Sequence, residues 1–167
     1  LSLGFTTLPA MKTEWITLAL ELDGHVARLT LNRPDKLNCF TIEMWRELRE
    51  LGQGLVAEPG AIRALIVVGA GRAFSTGIDT SVFAGGDQDS IAGGPDAGTR
   101  HANPMVDGIL RTQEAFSWLE DAPFATIAAA RGYALGAGLP IALACAISIF
   151  ARGISGGLLD NKYGLCR

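Results

Sequence analysis

Positive charge is scarce and nowhere bunched. The 167 residues hold 14 lysines and arginines against 17 acidic side chains, a net charge of −3. With no run of Lys or Arg, the chain lacks the electrostatic footprint of a nucleic-acid or anionic-membrane binder, although a few local cations suffice for one phosphorylated ligand. Charged residues make up only 19% of the chain and hydrophobic ones 49%, with a mean hydropathy of +0.27. That balance excludes intrinsic disorder and fits one ordinary folded domain. Cysteine is equally sparse: Cys39, Cys145 and Cys166 lie far apart with no C-x-x-C pair. They read as reduced packing thiols, Cys39 included, which points to a reducing, cytoplasmic setting. His25 and His101 are the only histidines, one on a hairpin and one in a loop, which makes a metal reading weak. Ser75 lies outside a G-x-S-x-G elbow and has no evident triad.

Two candidate targeting signals fail. Leu1 to Ala10 carry no charge, so no basic region precedes an apolar core as a secretory leader requires, and these ten residues read as an N-terminal extension to a core of residues 11–167. Gly132 to Ala151 is uncharged over twenty residues, the length of a membrane span. Gly132, Gly136, Gly138 and Pro140 crowd its first half, which predicts turn, buried helix and buried strand instead.

What is plentiful is glycine, 21 residues, joined by 7 prolines. Ile16 to Leu22 and His25 to Asn32 form strand-like runs around Asp23-Gly24, a hairpin dipeptide, with His25 a solvated strand residue. Thr41 can cap a helix in which Trp45, Leu48, Leu51 and Leu55 repeat at helical spacing against Arg46, Glu47, Arg49 and Glu50, stopped by Glu58-Pro59-Gly60. Arg63 to Val68 and Phe124 to Ala130 are apolar enough to predict strands covered on both faces. A second helix follows over Met105 to Leu119, and Leu139 to Cys145 and Ile147 to Ala151 give a short helix and a further strand. Residues 84–104, with two Gly-Gly pairs and no hydrophobic period, are expected to form a mobile loop. Glycine-rich turns at Gly69 to Gly77 and Gly132 to Gly138 each follow an apolar strand. Neither matches a nucleotide motif: Phe74 occupies the third small position of a dinucleotide fingerprint, and neither turn has the Lys-Ser/Thr of a phosphate loop.

Three ordered segments carry a resemblance: Leu31-Asn32-Arg33-Pro34 with Leu37-Asn38; Ala73-Phe74-Ser75-Thr76-Gly77-Ile78-Asp79; and Arg131-Gly132-Tyr133-Ala134-Leu135-Gly136-Ala137-Gly138 followed by Ala142-Leu143-Ala144-Cys145. Together they resemble the enoyl-CoA hydratase/isomerase (crotonase) family from about Ile16 to Leu165. The resemblance implies an α/β fold, a crotonase-like spiral of β-β-α turns that is incomplete at the C-terminus, and an acyl-CoA thioester as substrate, coenzyme A being part of that substrate and no separate cofactor or metal being needed. By position, the two backbone N–H groups that grip the thioester oxygen in the family fall to Ile78 and Ala137. Donors aimed at that oxygen favour an enolate-like state over the ground state, typically by ~3 to 4 kcal/mol for one donor.

The same resemblance places Arg33, Lys36 and Leu37 beside the coenzyme A moiety and Gly77, Asp79, Gly136 and Pro140 in the substrate-binding set. Family hydratases carry a carboxylate where this chain has Pro140, and a second one where it has Asp160. The isomerase branch works with a single carboxylate at the Asp160 position, so impaired hydratase or isomerase chemistry is expected, with a non-catalytic acyl-CoA-binding remnant, or one that completes a partner chain, as the alternative. Family members continue past Leu165-Cys166-Arg167 through a helical region that makes trimers, so a truncated chain is expected and a homotrimer is in question.

Overall fold

The computed structural model describes residues 15–83 and 104–158. The N-terminal extension, the expected loop before Pro104, His101, Asp160 and Cys166 lie outside the described residues. Strand β1 (Leu18–Asp23) pairs antiparallel with β2 (Val26–Leu31), Leu18 opposite Leu31 and Asp23 opposite Val26. The hairpin turn is thus Gly24-His25, one residue later than the sequence reading, because Gly24 (φ +58) takes the left-handed corner and Asp23 stays in the strand. His25 is accordingly a turn residue, its Nδ1 2.7 Å from the Ala61 carbonyl oxygen.

Beyond the hairpin the sheet is parallel. β3 (Ala64–Gly69), β4 (Ala125–Ala130) and β6 (Ile147–Phe150) complete the order β1-β2-β3-β4-β6. Each parallel connection runs through a helix: α1 (Ile42–Ala57) before β3, α2 (Pro104–Asp121) before β4, and α3 (Gly138–Ala144) before β6. Two short strands, β5 (Tyr133–Leu135) and β7 (Ser155–Gly157), pair in a second parallel sheet. The uncharged stretch therefore holds a turn, a short strand, a short helix and a strand. Among the described residues no helix is long and apolar enough to cross a membrane.

Helix α1 forms where expected. The Thr41 hydroxyl accepts from the Met44 N–H at 3.2 Å, and Trp45, Leu48, Leu51 and Leu55 are buried. Its packing on α2 explains a mid-helix glycine, since a Cβ on Gly52 would lie 2.3 Å from the Trp118 indole. Two expectations fail. Glu47, placed on the polar side of α1 by its neighbours, is fully buried and accepts from the Ile16 N–H (2.6 Å), the Thr17 N–H (2.8 Å) and the Thr17 hydroxyl (2.5 Å). It satisfies the chain entering β1, a long-range role that helical spacing cannot reveal. The parallel strands are also not covered on both faces. β3 and β4 alternate, with Leu65, Val67 and Ala128 in the core but Ile66, Val68 and Ala129 half-buried. The outer strand β6 is the most open, Ile147 and Ile149 being 51% and 57% exposed. Helices cover only the first face among the described residues, so apolar composition over-predicted burial.

Candidate active site at two glycine turns

The first turn leaves β3 at Gly69 and is tied to the segment after β2. Asn38 makes the tie: buried, with φ +55, it donates through Nδ2 to the carbonyls of Ala70 (2.8 Å) and Ala73 (2.9 Å) and accepts from the Arg33 N–H through Oδ1 (2.8 Å). Asparagine is among the few residues that tolerate this left-handed backbone, and its amide serves both loops. Its neighbour Leu37 is also left-handed (φ +50) and half-buried, its carbonyl accepting from the Thr76 N–H at 3.2 Å. Further along, the Phe40 N–H donates to the Gly77 carbonyl (2.7 Å) and the Asp79 N–H to the Phe40 carbonyl (2.9 Å). The Gly77 carbonyl and the Ile78 N–H share one planar trans peptide, so fixing the carbonyl toward Phe40 aims the N–H the opposite way. Among the described residues nothing accepts that N–H.

The second turn follows β4. Ser75 pairs with the strand β5 through Ser75 N–H to the Tyr133 carbonyl (2.9 Å) and Leu135 N–H to the Ser75 carbonyl (3.0 Å). The Gly136 N–H donates to the Gly157 carbonyl (3.0 Å), whereas the Ala137 N–H has no acceptor among the described residues. The two turns touch backbone to backbone. A Cβ on Gly77 (φ +97) would lie 3.1 Å from the Leu135 carbonyl oxygen and 3.5 Å from the Ala137 nitrogen, and one on Gly136 (φ +49) 3.3 Å from the Gly77 Cα. Only glycine supplies both the positive φ and the clearance at 77 and 136. Gly138, at the start of α3, faces the buried Ser75, where an added Cβ would come within 2.8 Å of the serine Cβ.

Charged groups flank the first turn. The Arg33 guanidinium donates through Nη1 to the Cys39 carbonyl (2.5 Å) and to Asp79 Oδ2 (3.0 Å), and the side chains of this ion pair are 20% and 15% exposed. Lys36 is exposed with no side-chain partner among the described residues. Cys39 is not a core thiol: half-buried, it donates to Asp79 Oδ2 at 3.2 Å, with Arg33 Nη1 3.5 Å away. Burial and the Asp79 carboxylate push its pKa up, so it stays a thiol. Cys145 is the buried packing cysteine, its pKa pushed up to about 12 by burial. Pro140 is half-buried in α3.

The Ser81 N–H, the Cys39 thiol and the Ser81 hydroxyl, with Arg33 adding to them against the opposing effect of burial, hold the Asp79 carboxyl well below the usual carboxylate range. A depressed folded pKa gives stability that is present above the unfolded value of about 3.9 and lost as pH falls toward the folded one. Urea midpoints measured between pH 6 and pH 3 are expected to fall more steeply for the parent than for Asp79→Asn, the divergence opening below about pH 4. Parallel curves would contradict the assignment.

A profile of the family described as enoyl-CoA hydratase/isomerase matches residues 21–167, which is most of the chain. The chain belongs to the enoyl-CoA hydratase/isomerase family. It is 36% identical over 130 residues to a Mycobacterium tuberculosis protein named as a probable enoyl-CoA hydratase, covering 78% of this chain and 45% of that one. It is 37% identical over 123 residues to the mitochondrial Delta(3,5)-Delta(2,4)-dienoyl-CoA isomerase of Rattus norvegicus, covering 74% and 36%. A solved structure from Thermobifida fusca, assigned as an enoyl-CoA hydratase and determined in complex with CoA, superposes with a TM-score of 0.74 at 39% identity, covering 90% of this chain and 55% of that one. The chain thus spans about half the length of the relatives it matches, and the α/β crotonase-like fold expected from the three motifs is the fold observed.

Within this family frame, sequence reasoning overlooked Asn38 as the residue that locks the first turn. Its signal was present in outline, an asparagine between a strand-breaking Pro34 and a helix cap, where a left-handed residue is common.

Proposed function

We propose that this chain binds acyl-CoA thioesters and holds the thioester carbonyl oxygen between the N–H groups of Ile78 and Ala137. The observation that carries this reading is the contact of two glycine turns whose amides at 78 and 137 both lack an acceptor among the described residues. Backbone donors left without partners beside a glycine-lined contact suit an incoming oxygen, because an unsatisfied N–H is costly unless a ligand or water takes it. Gly77 and Gly136 leave room for the thioester, and Lys36, exposed and without a side-chain partner among the described residues, is a cation beside the first turn for a phosphate of coenzyme A, Arg33 being engaged by Asp79 and Cys39. The relatives named as hydratase and isomerase and the CoA-bound relative support the ligand class.

Chemistry is narrower than binding. Pro140 can neither give nor take a proton, so water addition lacks one of its two acid–base groups; Asp160 is the single carboxylate left for moving a proton between C2 and C4 of an enoyl thioester. Pro140 equally favours the second reading, an acyl-CoA binder without turnover. Calorimetry with butyryl-CoA and with its thioether analogue, in which a methylene replaces the carbonyl, tests the grip itself. Two lost hydrogen bonds should weaken the analogue by about tenfold or more. Equal affinities would overturn the reading.

A further inference from the structure

One chain of hydrogen bonds leads from a cation to the proposed oxygen-binding amide. Arg33 Nη1 donates to the Cys39 carbonyl (2.5 Å); the N–H of that same peptide belongs to Phe40 and donates to the Gly77 carbonyl (2.7 Å); the N–H of that next peptide belongs to Ile78. Each peptide is planar, so a donor pulling on its carbonyl withdraws electron density from its own N–H and makes it a stronger donor. Two peptides in series therefore point the positive end of their dipoles, with a guanidinium behind them, at whatever the Ile78 N–H holds. The pair is partly screened from water, Arg33 being 20% exposed, and Asp79 Oδ2 on the same Nη1 partly cancels the cation.

We propose that Arg33 is a positioning and polarising residue that acts through the Cys39–Phe40 and Gly77–Ile78 peptides to strengthen the Ile78 N–H toward a developing enolate oxygen. This rests on the oxygen-binding role of Ile78 and moves Arg33 from contact with coenzyme A to the rear of the donor. Asp79 restrains the effect, so the two partners of one ion pair should have opposite influence. A merely structural pair would not.

Acetoacetyl-CoA is the probe. Loss of a C2 proton to buffer leaves the C–H electron pair delocalised over the two carbonyl oxygens, and this enolate absorbs in the near ultraviolet where the keto form does not. The enolate-to-keto ratio of the bound probe, at saturation and fixed pH, reports donor strength, while calorimetry with coenzyme A alone reports the remaining contacts. Arg33→Met is expected to lower the ratio about fivefold or more with coenzyme A affinity unchanged; Arg33→Lys should recover part of it, and Asp79→Asn should raise it above the parent. If Arg33→Met does not fold, Arg33→Gln, a neutral donor to the same Cys39 carbonyl, gives the same comparison. An unchanged ratio in the neutral variants, a ratio in Asp79→Asn at or below the parent, or lost affinity for coenzyme A in Arg33→Met would each overturn the proposal. A saturated parent with no enolate band would remove the oxygen-binding role of Ile78 itself, and this inference with it.

Discussion

Hydration of crotonyl-CoA by the purified chain is expected to run about 10²- to 10⁴-fold below a competent hydratase under the same conditions. That range is what one positioned acid–base group contributes, and the family resemblance puts Pro140 where hydratases carry one of theirs. Steady-state absorbance of the conjugated thioester reads it directly. Turnover within tenfold of a competent enzyme would show that another residue does the work assigned to the missing carboxylate. Conversion of a 3-enoyl to a 2-enoyl thioester is the activity that one carboxylate can still support, by taking the C2 proton and returning it at C4. Asp160→Asn should abolish any such conversion while acyl-CoA affinity stays within about twofold. Turnover that survives this substitution would remove Asp160 from the mechanism.

The second large effect concerns the fold at the start of the second turn. Gly132 has φ +69, and a Cβ there would lie 1.9 Å from the Arg72 carbonyl oxygen, which belongs to the first turn. Both neighbours of Gly132 are engaged across this gap, the Phe74 N–H lying 2.9 Å from the Arg131 carbonyl and 3.1 Å from that of Tyr133. The Arg72 carbonyl sits in a tight turn two residues before the doubly held Phe74 N–H, so it cannot retreat by an ångström without disturbing these bonds. Gly132→Ala should therefore cost about 3 kcal/mol or more, combining a disfavoured backbone with an overpacked contact. Gly153 also has a positive φ (+79), but a Cβ there would meet no atom within 4 Å, so Gly153→Ala isolates the backbone part at about 1 kcal/mol. Equal losses of urea midpoint for the two variants would show that the contact at Gly132 relaxes freely.

The elements that the sequence revealed are those governed by local rules. Thr41 with the Trp45, Leu48, Leu51, Leu55 repeat specified α1, Gly24 the hairpin corner within one residue, and the three ordered motifs the family. Long-range needs were hidden. Glu47 lies among charged neighbours on a helix, and only the arrival of Ile16 and Thr17 from a distant segment explains its burial. Apolar runs at 63–68 and 124–130 signalled strands but not which face is covered, since a strand's pattern carries no record of what lies above it. Arg33 and Lys36 looked alike as loop cations three residues apart. The carbonyl of Cys39 and the carboxylate of Asp79, which come together only when the first turn folds back, separate the engaged guanidinium of Arg33 from the exposed ammonium of Lys36.

Two backbone amides, those of Ile78 and Ala137, are expected to take hold of one thioester oxygen. Isotope-edited difference infrared spectroscopy of butyryl-CoA labelled with ¹³C at the thioester carbonyl measures that directly, by comparing the C=O stretch of the saturated complex with that of the free ligand. Polarisation by the Ile78 and Ala137 N–H groups predicts a band moved to lower frequency on binding. A carbonyl that stays at its free frequency in the saturated complex would contradict the account.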